Sequence, residues 1–205
     1  MKKFPSSIPV FPLSGVIYFP KTNLPLNIFE QRYLDLVKDA YNKDKFMGMV
    51  QPKKEGKSVY QIGCLGKINN YEMSKDGRIL INLTGVSRFK ILEEISNDKL
   101  YREFKVDYKD FDRDTEDIKN EIDIKSLLLN AKDFFKRYGL LLNWQEFEKL
   151  SQSQIINTLA MIAPITNEEK QKLLESLSLA EIVKTLENII KFYLYEANFS
   201  NQTIQ

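Results

Sequence analysis

The chain has no histidine and a single cysteine, Cys64, among 205 residues. Without histidine there is no Ser-His-Asp triad, no Cys-His pair and no imidazole metal ligand. One cysteine permits neither a disulfide framework nor a thiolate zinc cluster. The glycine patterns that cradle nucleotide phosphates, GxxxxGK followed by Ser or Thr and GxGxxG, are missing, as is the GxSxG nucleophile elbow. Adjacent carboxylates do occur, as Glu93-Glu94 and Glu168-Glu169. Neighbours point apart on a strand and stand about 100° apart on a helix, so these are solvated charges rather than acid/base dyads. The expectation is a protein without catalytic residues, cofactor or metal.

Long apolar runs are also missing. The stretch from Ile8 to Phe19 is cut by Pro9, Pro12, Ser14 and Gly15, so Met1-Lys2-Lys3 does not open a signal peptide. No window approaches the roughly 20 apolar residues of a membrane span. The chain is therefore read as cytoplasmic and without a membrane partner. Nor is there an excess of one charge. Thirty Lys and Arg stand against 28 Asp and Glu, a net +2. Proteins that live on a nucleic acid backbone carry a larger positive excess.

What is present is uneven. Six of seven prolines lie before residue 53, and seven of eight glycines before residue 86. A half punctuated by breakers reads as short strands, and a half nearly free of them reads as helices. Charge shifts at the same place. Residues 1–112 hold 19 basic and 14 acidic residues, and 113–205 hold 11 and 14. The spacing predicts two lobes, a β pseudo-barrel over 1–112 and a helical bundle over 113–205.

Strand candidates in the first half are Ile8–Phe11, Leu24–Ile28, Phe46–Gln51, Gln61–Glu72, Ile79–Thr84, Ser87–Glu94 and Leu100–Tyr108. Asp76-Gly77 marks a hairpin turn, Gly85 a bend or bulge. The prolines around Leu24-Pro25-Leu26 suit an edge strand. One helix interrupts them: Tyr33, Leu36, Val37, Ala40 and Tyr41 repeat on a single helical face within Glu30–Asn42. In the second half a helix is predicted from about Thr115 to Tyr138, capped by Gly139. Asn143-x-x-Glu146, Ser151-x-x-Gln154, Thr166-x-x-Glu169 and Ser178-x-x-Glu181 have capping-box form. The last of these opens a stripe of Ile182, Val183, Leu186, Ile189, Ile190, Tyr193 and Leu194. Four or five helices are expected, with a frayed tail over Asn198–Gln205.

One segment is distinctive. Pro9-Val10-Phe11-Pro12-Leu13 leads to Phe19-Pro20 and then to Leu24-Pro25-Leu26-Asn27-Ile28-Phe29-Glu30-Gln31-Arg32-Tyr33. Ile62-Gly63 with Ile68, Asp76-Gly77-Arg78, Gly85-Val86-Ser87-Arg88-Phe89 and Glu169-Lys170-Gln171-Lys172-Leu173-Leu174-Glu175 follow in order. Together these resemble the amino-terminal, substrate-binding domain of the Lon protease family, over about residues 8 to 195. Asn27 stands where that family commonly has His, and Gln31 where it often has Pro. The resemblance implies an α+β fold: a PUA-like antiparallel β pseudo-barrel with one inserted helix, followed by a C-terminal helical bundle. It implies a stand-alone module without the ATPase and Ser-Lys peptidase domains of the full proteases.

The function so implied is non-catalytic binding of exposed or unfolded polypeptide segments, with a protease or chaperone as a candidate partner. The alternative is a PUA-like RNA-binding module, which Lys53-Lys54 and Lys57 favour mildly and the absence of a stacking-plus-basic signature disfavours. The candidate peptide contacts are Tyr18 and Phe19, two aromatics beside the polar turn Lys21-Thr22-Asn23. Phe29, Glu30, Arg32, Tyr33 and Arg88 carry the family motif and are read as structural. Phe29 and Tyr33 would staple the helix to the sheet, and Arg88 would pair with Glu30.

Overall fold

A computed structural model describes residues 4–53, 58–116 and 121–202, with side chains to 196. Lys54, Lys57 and residues 203–205 lie outside the described residues. The chain forms two compact units, Met1–Glu116 and Asp117–Gln205.

The first unit holds β1 (Ser7–Pro12), β2 (Asn23–Ile28), α1 (Gln31–Asn42), β3 (Phe46–Val50), β4 (Ile62–Met73), β5 (Ile79–Ile95) and β6 (Arg102–Asp107). The six strands form one sheet in the order β2-β5-β4-β3-β1-β6, and β6 also pairs with β5. The sheet is mixed rather than wholly antiparallel, because β1 runs parallel to β3, with Val10 opposite Gly48. β2 and α1 lie between those two strands in the chain, and a parallel neighbour requires such a crossover. Among the described residues β2 pairs only with β5, the edge position that its proline suits.

The stretches Ile79–Thr84 and Ser87–Glu94 are one continuous strand. Its first half pairs with β2, its second with β6, and β4 runs alongside both. Gly85 stands at the change of partner, where the β4–β5 register slips. A Cβ on Gly85 would stand 2.2 Å from the Phe19 carbonyl oxygen, so only glycine lets the two backbones approach. Ile8, Val10, Val50, Leu65, Phe89, Phe104 and Val106 form a core cluster inside this unit. A 3-10 turn, Lys109–Thr115, ends the unit with Phe111 buried. The unit therefore extends past the composition shift at residue 112.

The second unit holds α2 (Lys125–Arg137), α3 (Trp144–Phe147), α4 (Gln152–Ile162), α5 (Asn167–Glu175) and α6 (Leu179–Gln202). Gly139 closes α2 with φ +67°. Its N–H donates to Lys136 O, and that of Leu140 to Phe135 O, which satisfies two terminal carbonyls. Ser151 and Thr166 make complete capping boxes with Gln154 and Glu169. Asn143 accepts from the Glu146 N–H. Ser178 accepts from the Glu181 N–H, but the Glu181 carboxylate reaches back to Leu177 instead. Ile182, Val183, Leu186 and Ile190 of the predicted α6 stripe are buried. The helix runs on to Gln202, beyond the start of the expected frayed tail. No described helix is long and apolar enough to cross a membrane.

Candidate functional site

Tyr18 and Phe19, expected as exposed anchors, are instead core residues at 2% and 0% exposure. The Tyr18 hydroxyl donates to Leu83 O at 2.7 Å. The turn behind them holds the backbone down: Thr22 Oγ1 donates to Phe19 O at 2.7 Å, Lys21 N–H to Gly85 O, and Gly85 N–H to Thr22 O. Of the polar turn, Asn23 is exposed while Thr22 is itself buried at 3% exposure, so its hydroxyl ties the turn down over the two rings. As placed here, this loop offers no ring to a ligand.

The family motif divides differently from the expectation. Tyr33 is buried and packs on Phe11, with ring centroids 3.9 Å apart. Phe29 does not join it, being 68% exposed. Ile28 takes the inward position before it, so strand alternation turns Phe29 outward. Glu30 is the N-cap of α1 and makes no side-chain cap bond. Its carboxylate accepts from Arg32 Nε at 3.0 Å and Nη2 at 2.8 Å, an exposed pair worth about 0–1 kcal/mol. Arg32 also lies over the Tyr33 ring, 4.5 Å from its centroid.

Arg88 does not pair with Glu30. Its Nη2 donates to Asp114 Oδ1 at 2.7 Å, while its Nε and backbone N–H both donate to Asp114 Oδ2, at 2.9 and 2.8 Å. The side chains are 3% and 7% exposed, and the guanidinium lies 4.4 Å from the centre of the Phe111 ring. Sequence reasoning missed Asp114 because it lies at the composition shift near residue 112, 26 residues beyond Arg88, and no local pattern ties the two. The signal was Phe111, an aromatic that a solvated linker has no use for.

The surface that remains is the outer face of β2, β5 and β4. Alternation puts Ile28, Ile79, Ile81 and Leu83 inside, all buried. It puts Asn27 opposite Leu80, and Leu80 opposite Glu72. Pro25 and Asn70 both face Asn82. Leu80 is 41% exposed, and exposed Phe29 continues the face past the end of β2. Apolar groups so placed can bury against a partner. The β4–β5 turn below is fixed by Asp76, which accepts from Arg78 Nε at 2.7 Å and from the Arg78 N–H at 3.2 Å. Those hydrogen bonds lower the Asp76 carboxyl pKa. Elsewhere on this unit, the cation of Lys45 sits over the ring of Tyr41, which stacks on Tyr71.

Several tyrosines of the first unit resist ionisation. Burial pushes Tyr18 and Tyr108 well above the ordinary 10.0. Tyr101 is pushed up to about 12, by burial first and then by its hydrogen bond to Asp39. Their folded pKa values exceed the unfolded ones, so their contribution to stability is complete below pH 10. It is lost as pH rises, because the unfolded chain ionises first. Alkaline titration followed at 295 nm and by circular dichroism is expected to show these phenols ionising together with unfolding. Smooth ionisation near pH 10 with the fold intact would contradict their burial. Among the described residues no group of three or more Cys, Asp and Glu could hold a metal ion.

The model of the ATP-dependent protease La (LON) substrate-binding domain matches residues 7–191. A Lon protease of Syntrophus aciditrophicus is 25% identical over 94% of this chain, which covers 26% of that protein. One of Malacoplasma penetrans is 29% identical over 87% of the chain, covering 24% of the protein. The chain thus spans about a quarter of the length of these relatives. Among solved structures, the Lon N-terminal domain protein from Xanthomonas campestris superposes with a TM-score of 0.66 at 20% identity, covering 89% of this chain and 97% of that one. The N-terminal domain of the Mycobacterium avium complex Lon protease gives 0.64 at 17% identity, covering 90% and 98%.

Proposed function

This chain belongs to the LON substrate-binding domain family, matched over residues 7–191, and from that premise we propose that it binds exposed or unfolded polypeptide without catalysing a reaction on it. The family match carries this reading. The outward Phe29 and Leu80 support it, because a holder of many sequences needs exposed apolar surface rather than a deep polar pocket. Near-neutral charge leaves apolar burial as the main driving force. Burying about 300 Å² of apolar area contributes roughly 7–8 kcal/mol before costs. Ordering an unfolded segment removes about 2–5 kcal/mol of that, and lost translational freedom removes more. Affinity is therefore micromolar at best.

Titration of a labelled, permanently unfolded protein tests the proposal. Binding is expected by about 100 μM, scarcely changed between 50 and 300 mM salt, and weakened severalfold in Phe29→Ser without loss of melting temperature. Absence of binding at that concentration would overturn the reading. Binding lost across that salt range would point to phosphate contacts and a nucleic acid instead. The purified chain is also expected to hydrolyse neither ATP nor casein. ATP turnover that survives further purification would refute the non-catalytic proposal.

A further inference from the structure

We propose, resting on the polypeptide-binding reading above, that the outer face of β2–β5–β4 holds an extended, uncharged polypeptide by its main chain, through the side-chain amides of Asn27, Asn70 and Asn82. The face carries two sets of amides. Asn69 Nδ2 donates to Thr84 Oγ1 at 2.5 Å, and Thr84 Oγ1 donates to Asn23 Oδ1 at 2.6 Å, so the upper row is linked by its own side chains. Among the described residues, nothing in the chain hydrogen-bonds the side chains of Asn27, Asn70 or Asn82. Each presents two N–H donors and a carbonyl acceptor, the complement of a peptide group.

Their placement suits an extended chain. Asn70 lies directly across from Asn82 on the β4–β5 pair. Asn27 lies diagonal to Asn82, one outward position along β2, at a separation of about 7–8 Å. Same-side groups of an extended peptide repeat at about 6.5–7 Å. Charge is complementary in the sense that matters for a neutral main chain. The outward positions of these strands between Asn23 and Asn27, Asn69 and Glu72, and Leu80 and Thr84 hold one carboxylate, Glu72, and the exposed cation of Lys67, opposite Thr84, balances it at the end of the face. Leu80 and Phe29 supply apolar contact beside the amides.

The other route for an extended segment, addition to the free edge of β2, is obstructed. Gly85 N–H donates to Thr22 O, its cross-strand partner. Continuing the antiparallel alternation makes Leu24 and Leu26 the bonded partners of β5, so Asn23, Pro25 and Asn27 turn their backbone groups to the free edge. Proline has no N–H, so the middle donor of that edge is missing. The β2 edge therefore lacks a continuous row of donors.

The test compares two fluorescent ten-residue peptides of Ser, Thr and Leu, one ordinary and one N-methylated at alternate residues, against the full chain. The ordinary peptide is expected to bind, and methylation to weaken binding at least about tenfold. A triple variant, Asn27→Leu, Asn70→Leu and Asn82→Leu, is expected to melt like the wild type and to lose that discrimination. Equal binding of both peptides by the wild type would overturn main-chain recognition while leaving polypeptide binding intact. Retained discrimination in the triple variant would overturn the assignment to this face. No binding of the ordinary peptide at about 1 mM would overturn both readings. The wild-type comparison does not depend on how the variant folds.

Discussion

Replacing Phe19 by serine is expected to unfold much of the first unit rather than to remove a binding contact. The ring is fully buried, and its carbonyl is held between Thr22 Oγ1 and the close-approaching Gly85 backbone. Truncating a buried phenylalanine costs about 3–5 kcal/mol, and a serine hydroxyl left without a partner adds to that. For a unit of this size each kcal/mol lowers the melting temperature by about 4–8 °C. A drop of more than about 10 °C in a thermal melt is the expected result. Gly85→Ala should act in the same direction, because its new methyl meets backbone that cannot rotate away. An unchanged melting temperature in Phe19→Ser would mean that the ring is not in the core.

Arg88→Ala is expected to cost about 3–5 kcal/mol, the usual penalty for leaving a buried charge without its partner. The stranded group is Asp114, whose carboxylate accepts from Arg88 Nε and Nη2 and from the Arg88 backbone N–H. The 3-10 turn should come loose with it, since Phe111 loses the guanidinium that covers its ring. The informative comparison is the double variant Arg88→Met, Asp114→Asn. It removes both charges and should recover much of the stability, because an apolar replacement for a buried ion pair is often near neutral. Urea unfolding of the three proteins measures this. Equal losses in the single and double variants would show that packing, not the stranded carboxylate, sets the cost. An unchanged Arg88→Ala midpoint with lost peptide binding would move Arg88 from scaffold to site.

The elements were largely legible because each rests on local physics. Alternation in Ile8–Phe11 and Leu24–Ile28, the helical repeat of Tyr33, Leu36, Val37 and Ala40, and the caps at Ser151, Thr166 and Gly139 are written within a few residues of one another. The candidate site was less legible. Tyr18-Phe19 beside a polar turn reads equally well as an exposed tip or a tucked pair. The choice is made by Gly85, some 65 residues away, which admits the Phe19 backbone against β5. Likewise Phe29 and Tyr33 look equivalent on either side of a helix start. Only the pairing of Ile28 with Ile79 decides which ring goes in.

By itself the sequence determined that the chain has a breaker-rich β half and a helical half, that histidine and multi-cysteine chemistry are excluded, and that its motif order is that of one family. Those properties are composition, periodicity and order along the chain, which need no partner in space. Tertiary structure alone decided that β5 is one strand serving two neighbours, that Arg88 holds Asp114, and that Asn27, Asn70 and Asn82 share a face. Each of these joins residues that are distant in the chain, and burial and register, which bring them together, are properties of the assembled sheet.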